Sequence, residues 1–162
     1  MSARNPPPRG TTYMGEHPKA YIRIDKQLRW WHEGGEILHP RLLEFLKRHL
    51  RYESDSGFFL EDKEGRVAVE VEDTPFLAHD VSIQGSKMLV RLPNEEIRAL
   101  DMGSLRTGEN GGLYAKVLPE GYEVRFSRQA HERLLQRHLT QKNGKFFLKL
   151  EGELLPIRAN PS

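Results

Sequence analysis

The sequence predicts an α+β fold made of two diverged strand–helix–hairpin subdomains with antiparallel sheet. Three observations carry that expectation. Apolar residues switch along the chain between the two-residue alternation of strands and the i, i+4, i+7 spacing of helices. The string Leu-x-Arg-His-Leu occurs twice at helical spacing, at 46–50 and 135–139. A Phe-Phe-Leu run follows each copy, at 58–60 and 146–148.

The elements follow in order. Residues 1–18 contain Pro6-Pro7-Pro8, Gly10 and Pro18 and offer little to a core, so they are expected to form a disordered tail. The first repeat with an extra hairpin is assigned to 19–100. It opens on the alternating strand Tyr21-Ile22-Arg23-Ile24, against which Leu28 to Trp31 can pair. Pro40 suits the first turn of a helix, where its missing N–H is not needed. Leu42, Leu46, His49 and Leu50 then form a stripe, and Glu44 stands four residues before Arg48 as a supporting pair. Phe58 to Leu60 and Val67 to Val71 read as two strands joined near Gly65. Val81 to Ile83 and Met88 to Leu92 read as a hairpin turning at Gly85-Ser86.

Residues 101–112 hold four glycines and are assigned as a connector. The second repeat is placed at 113–158, with 159–162 a short tail. Tyr114-Ala115-Lys116-Val117 echoes Tyr21 to Ile24, and Ser127 is a good N-cap for the second helix. Residues 45–50 and 134–139 share four of six identities, and the two copies are offset by 89 residues at the helix and 88 at the following strand. Leu46, Leu50, Leu135 and Leu139 are the expected core residues of the two helices.

Composition narrows the functional classes. The 162 residues include no cysteine, which excludes disulfides, thiolate nucleophiles and Cys-based zinc sites. No apolar run is long enough for a transmembrane span, and the N-terminus has no signal-peptide core, so a cytoplasmic bacterial protein with no membrane partner is expected. A net charge of +2 is too small to make a polyanion the leading partner.

No catalytic residue or metal site is expected, and no cofactor. His131-Glu132 begins like a zinc-protease helix, but Leu135 stands where the second ligand is required. His49 and His138 hold matching places in the two copies and read as structural. Glu70 and Glu72 alternate on a strand as a wet face does. Gly103 to Gly108 can form a backbone anion nest or a plain connector; it lacks the spacing of a phosphate-binding loop. The candidate ligand-binding residues are Trp30 and Trp31, which can cover a planar group, Asp73 and Thr74 at a strand end, and Arg91 and Arg106, which can hold an anion.

The stretch Val69-Glu70-Val71-Glu72-Asp73-Thr74-Pro75-Phe76 resembles the signature of the bacterial family known as domain of unknown function 1285. Ile24-Asp25 leading to Trp31-His32-Glu33-Gly34, the helix from Pro40 to Leu50, the segment from Gly112 to Leu139 and the closing hairpin from Gly144 to Ile157 agree with it in order. The resemblance implies two α+β subdomains with repeated motifs and a cleft between the halves, a small anionic or nucleotide-like ligand, and a signalling role. The leading expectation is thus a non-catalytic ligand-binding or regulatory protein. The alternative is nucleic-acid binding through a basic helix (Arg41, Lys47, Arg48, Arg51) beside aromatic platforms. A hydrolase or transferase using Glu72 or Asp73 as base stands third.

Overall fold

The computed structural model describes residues 22–159, and the chain divides into two compact units after Pro75. The first unit runs β1 (Ile22–Ile24), β2 (Trp30–His32), β3 (Gly35–Glu36), α1 (Pro40–His49), β4 (Leu50–Glu53), β5 (Gly57–Asp62) and β6 (Gly65–Val71). These strands make one sheet in the order β3-β2-β1-β6-β5-β4, antiparallel except where β1 and β6 lie parallel. The helix is what allows that parallel pairing, because a chain cannot return parallel through a tight turn.

The second unit runs β7 (Leu77–Ala78), β8 (Val81–Gln84), β9 (Lys87–Arg91), β10 (Ile97–Thr107), β11 (Leu113–Val117), β12 (Glu123–Phe126), α2 (Arg128–His138), β13 (Leu139–Lys142), β14 (Lys145–Leu150) and β15 (Glu153–Pro156). Its sheets are β7-β12-β11-β10-β9-β8 and β13-β14-β15. A parallel bridge from Arg158 to Arg106 joins them, with Thr107 N–H donating to the Arg158 carbonyl at 2.8 Å.

The plan of the first unit therefore recurs as β12-β11-β10 and β15-β14-β13, and the registers agree. Arg23 faces Trp31 and Arg106 faces Tyr114, an offset of 83 at both partners. Trp31 faces Glu36 and Tyr114 faces Arg125. Leu60 faces Val67 and Leu148 faces Leu155, an offset of 88. Arg23 faces Glu70 where Arg106 faces Arg158.

Two sequence expectations are corrected by this register. Tyr114 to Val117 is the counterpart of β2, not of the opening strand, whose place is taken by the end of β10. The stretch 101–112 is not a connector throughout: residues 101–107 belong to an eleven-residue strand. Its glycine and serine serve a bulge between Asp101 and Arg106. There Ser104 Oγ donates to the Asp101 carbonyl at 2.6 Å and accepts from Lys116 N–H at 2.8 Å. Glycine-rich composition signals a bulge as readily as a loop. The balance of classes shifts as well. Two helices of ten and eleven residues stand against fifteen described strands, so the fold is mainly β with mixed sheets.

The first turn of each repeat is the same turn. Leu28 N–H donates to the Asp25 carbonyl and Asp25 N–H to that of Arg29; Gly111 and Gly108 repeat both bonds with Gly108 and Gly112. Leu28 has φ +68° and Gly111 has φ +81°, so glycine removes in the second copy the strain a side chain bears in the first. In the first copy the buried Asp25 carboxylate accepts from Gln27 N–H and Arg29 N–H at 2.9 Å each, from Arg29 Nε at 3.0 Å, and from Trp31 Nε1 at 2.9 Å. In the second, glycine stands there because a Cβ at 108 would come 2.7 Å from the Tyr114 ring. Asn110 then supplies the bonds, accepting from Gly112 N–H and donating to the Tyr114 hydroxyl at 3.0 Å. An arginine lies over the aromatic ring in both: Arg23 at 5.3 Å from the Trp31 centroid, Arg106 at 4.3 Å from that of Tyr114.

Each unit has its own core. Ile22, Ile24, Trp30 and Val69 form the first, with Leu43, Leu46, Leu50 and Val67 packed against them. The second gathers Met88, Val90, Leu105, Leu113, Val117, Val124, Phe126, Leu134 and Leu148, with Leu135 at its margin. Leu46, Leu50 and Leu135 thus pack as expected. Leu139 does not: it is 41% exposed, and the buried leucine of α2 is Leu134, at 5%. The helix stops at His138, so Leu139 takes the geometry of the edge strand β13 and leaves the helical stripe. Pro40 and Ser127 start their helices as the sequence predicts, Ser127 Oγ accepting from Ala130 N–H at 3.1 Å.

Leu134→Ala is expected to cost about 2–5 kcal/mol and Leu139→Ala less than about 1 kcal/mol, compared by urea unfolding. Equal costs would refute the placement of the helix end.

Asp25 gives a pH prediction. Burial raises its pKa, but the bonds from Arg29, Trp31 and Gln27 outweigh that and lower it from 3.8 to about 2. A depressed folded pKa means the contribution is complete above about pH 4, where both states are ionised. It is lost as pH falls toward 2, because the unfolded chain takes up its proton first. The contribution is about 2 kcal/mol. Asp25→Asn should lose that increment near neutral pH and show a flatter stability profile between about pH 4 and pH 2 than the parent chain.

Candidate functional site

Within the second unit, α2 and β8 leave between them a cleft of about 420 Å³. Val81, Ser82 and Ile83 of β8 line one side; Ala130, Arg133, Leu134, Arg137 and His138 of α2 line the other. The helix positions these groups by period alone. Ala130, Leu134 and His138 recur every four residues, and Arg133 and Arg137 form the adjoining row. The floor is aliphatic and the rim carries two cations.

Among the described residues no ion pair or hydrogen bond within the chain is made by either arginine, whereas several arginines elsewhere hold carboxylates. Arg66 reaches Glu53 and Glu61, Arg98 reaches Glu96 and Glu120, and Arg106 holds Glu123 with two bonds of 2.6 and 2.7 Å. His138 Nδ1–H donates to the Lys149 carbonyl at 3.3 Å, which leaves Nε2 as the ring nitrogen open to a ligand.

The first unit shows what the same helix face is without this site. At the offset of 89, Arg137 corresponds to Arg48 and Arg133 to Glu44. Arg48 lies 3.5 Å from the Glu44 carboxylate, an i, i+4 pair. Replacing that glutamate by Arg133 removes the internal partner and adds a second cation one turn away. Leu134 corresponds to Phe45, which is 51% exposed and stacks on His49 at 4.1 Å. The β8–β9 hairpin supplies the wall on the second helix. Its tight turn at Gly85, φ +66°, lies beside the Glu151 carboxylate, 3.6 Å from where a Cβ would stand.

The residues singled out in the sequence fall elsewhere. Trp30 is 2% exposed and belongs to the first core, so it cannot cover a ligand. Trp31 is half-buried, its Nε1 is held by Asp25, and Arg23 and Arg29 both lie against its ring. Thr74 is fully buried and Asp73 half-buried at the end of the first unit. In the second unit Arg91 on β9 is matched by Asp80 at 2.9 Å and Glu95 at 3.5 Å, and Arg106 by Glu123. Both predicted anion-binding arginines therefore already hold carboxylates. Arg133 and Arg137 were legible as two arginines at i, i+4 with no carboxylate four residues before or after either one.

The histidines and acids take other places. His49 donates from Nδ1 to the Phe45 carbonyl at 2.8 Å, so both repeat-matched histidines bond backbone carbonyls, though different ones. Burial lowers the pKa of His131, with the Glu132 charge acting in the opposite direction. Glu72 pairs with Arg23 at 2.8 Å and Glu70 is exposed. Among the described residues no three His, Asp or Glu side chains gather as a metal site would require. No described helix is long and apolar enough to cross a membrane.

No protein-family model matches the chain, and no curated protein matches it. Solved structures do. A DUF1285 family protein from Silicibacter pomeroyi DSS-3 superposes with a TM-score of 0.62 at 21% identity, over 86% of this chain and 80% of its own. Another, from Shewanella baltica OS155, gives a TM-score of 0.54 at 19% identity, over 72% of this chain and 91% of its own. With the two repeated sheets and their parallel closures already described, these superpositions lead to one conclusion: the chain has the fold of DUF1285 family proteins.

Proposed function

We propose that this chain is a non-catalytic binding protein for a small anionic ligand, held in the cleft between α2 and β8. The observation that carries the reading is the exchange of Glu44 in one repeat for Arg133 in the other. A paired, self-neutralised helix face becomes one with two free cations beside an aliphatic wall. Two guanidinium groups one turn apart suit a carboxylate or a phosphate, which each can meet with directed N–H bonds. Low-dielectric walls strengthen that attraction relative to open water. Nucleotide monophosphates and alkyl carboxylates or phosphates are all anions of this kind. A regulatory or signalling role would follow from occupancy, since a ligand bridging α2 and β8 stabilises the arrangement it binds.

The test is titration of the isotope-labelled protein with AMP, octanoate, octyl phosphate and inorganic phosphate, followed by amide shifts. Saturable binding of at least one organic anion is expected, with the largest shifts in residues 81–83 and 130–138. Arg133→Ala and Arg137→Ala should each weaken it about tenfold. Their urea unfolding should change by less than about 0.5 kcal/mol, because neither arginine supports the fold. Binding undiminished in the double variant, or no saturable binding by any of the four, overturns the proposal.

A further inference from the structure

We infer that the ligand of the α2–β8 cleft is an aliphatic chain with an anionic head group, and not a nucleotide. This rests on the anion-binding reading above and goes further, to the chemical class. A site for a nucleobase needs a flat aromatic or guanidinium surface to stack on and polar groups to read the base edge. The body of the cleft is instead made of Val81, Ile83, Ala130 and Leu134; its flat groups are the Arg133 and Arg137 guanidiniums, which the anion takes, and the His138 imidazole, and no Phe, Tyr or Trp lines it. Side chains of that kind make no directed bonds, and they recognise methylene groups through burial alone. Ser82 is exposed and His138 has one nitrogen committed to Lys149, so few directed bonds remain for a heterocycle.

The two arginines stand in a row beside the aliphatic residues and not on both sides of them. The site therefore has one charged side and one apolar side, and an alkyl carboxylate or alkyl phosphate offers a group for each. At about 420 Å³ the cleft lies toward the small end of ligand pockets, usually about 300–1,000 Å³. The trunk of the chain would rest on Leu134 and Ile83 with its head at Arg133 and Arg137.

The experiment is a homologous series of alkyl phosphates and alkyl carboxylates from four to eight carbons, kept below their micelle concentrations, titrated by calorimetry beside AMP and inorganic phosphate. Affinity is expected to rise about fourfold per added methylene, then level off when the cleft is full. AMP is expected to bind no more tightly than inorganic phosphate. The two head-group series show whether carboxylate or phosphate is preferred. Ile83→Thr, which shortens the side chain and adds a hydroxyl at a half-buried position, should reduce the gain per methylene. A flat dependence on chain length, or AMP binding more tightly than octyl phosphate with shifts in residues 81–83 and 130–138, overturns the aliphatic assignment while the anion site stands. Failure of every anion to bind overturns both.

Discussion

Each repeat depends on one contact that its chain order makes hard to form: the opening strand must lie parallel to a segment reached only after a helix and at least four further strands. β1 has three residues and its pairing with β6 sets the middle of a six-stranded sheet. In the second repeat the same closure is reduced to the bridge between Arg106 and Arg158, flanked by two backbone bonds. In the first unit the three strands before the helix form one antiparallel ribbon and the three after it another; in the second, β7, β8 and β9 extend the leading ribbon to six strands. Closure also explains why the arginine at this position is retained in both copies. Arg23 and Arg106 sit where the two ribbons meet, and each covers the aromatic residue across the ladder.

Around that shared frame the two copies have diverged in ways that keep the backbone and change the chemistry. Asp25 and Gly108 occupy one turn position and reach the same result by opposite means, a buried carboxylate in one and an intruding tyrosine ring in the other. The segment between the second and third strands is six residues longer in the second copy, and the turn between β13 and β14 is one shorter. On the helices the divergence changes the charge of the surface. Glu44 and Phe45 give a neutral, uncovered face; Arg133 and Leu134 give a cationic face with a hairpin wall.

Much of this plan could be read from residues. The Arg-His-Leu and Phe-Phe-Leu strings exposed the duplication because they lie where helix passes into strand and where a core strand runs, positions that tolerate little change. Pro40 and Ser127 marked helix starts because their chemistry is local. The leading strand was misplaced because Tyr114-Ala115-Lys116-Val117 and Tyr21-Ile22-Arg23-Ile24 share an alternation that any half-buried strand shows. Pairing register, which tells β2 from β1, is a long-range property and leaves no mark in so short a run. The carboxylates that Arg91 and Arg106 hold were hidden for a related reason. An arginine's partner across a sheet, such as Glu123, is remote in sequence, whereas the lack of a helical partner for Arg133 and Arg137 is visible within four residues. Leu139 misled because the helix pattern runs one residue past the helix.

His49 is followed by Leu50 and His138 by Leu139 with no residue between helix and strand. Such a junction has no slack. A helix that turns about its axis or slides along it must carry the first strand of the next ribbon with it, as a crank carries its shaft. In the second copy the crank is α2, whose outer rows line the cleft, and the shaft is β13, three strands long with its neighbours. A molecule wedged against Arg133 and Leu134 therefore acts on the whole closing ribbon at once. The geometry ties the end of one helix directly to the first strand of a sheet.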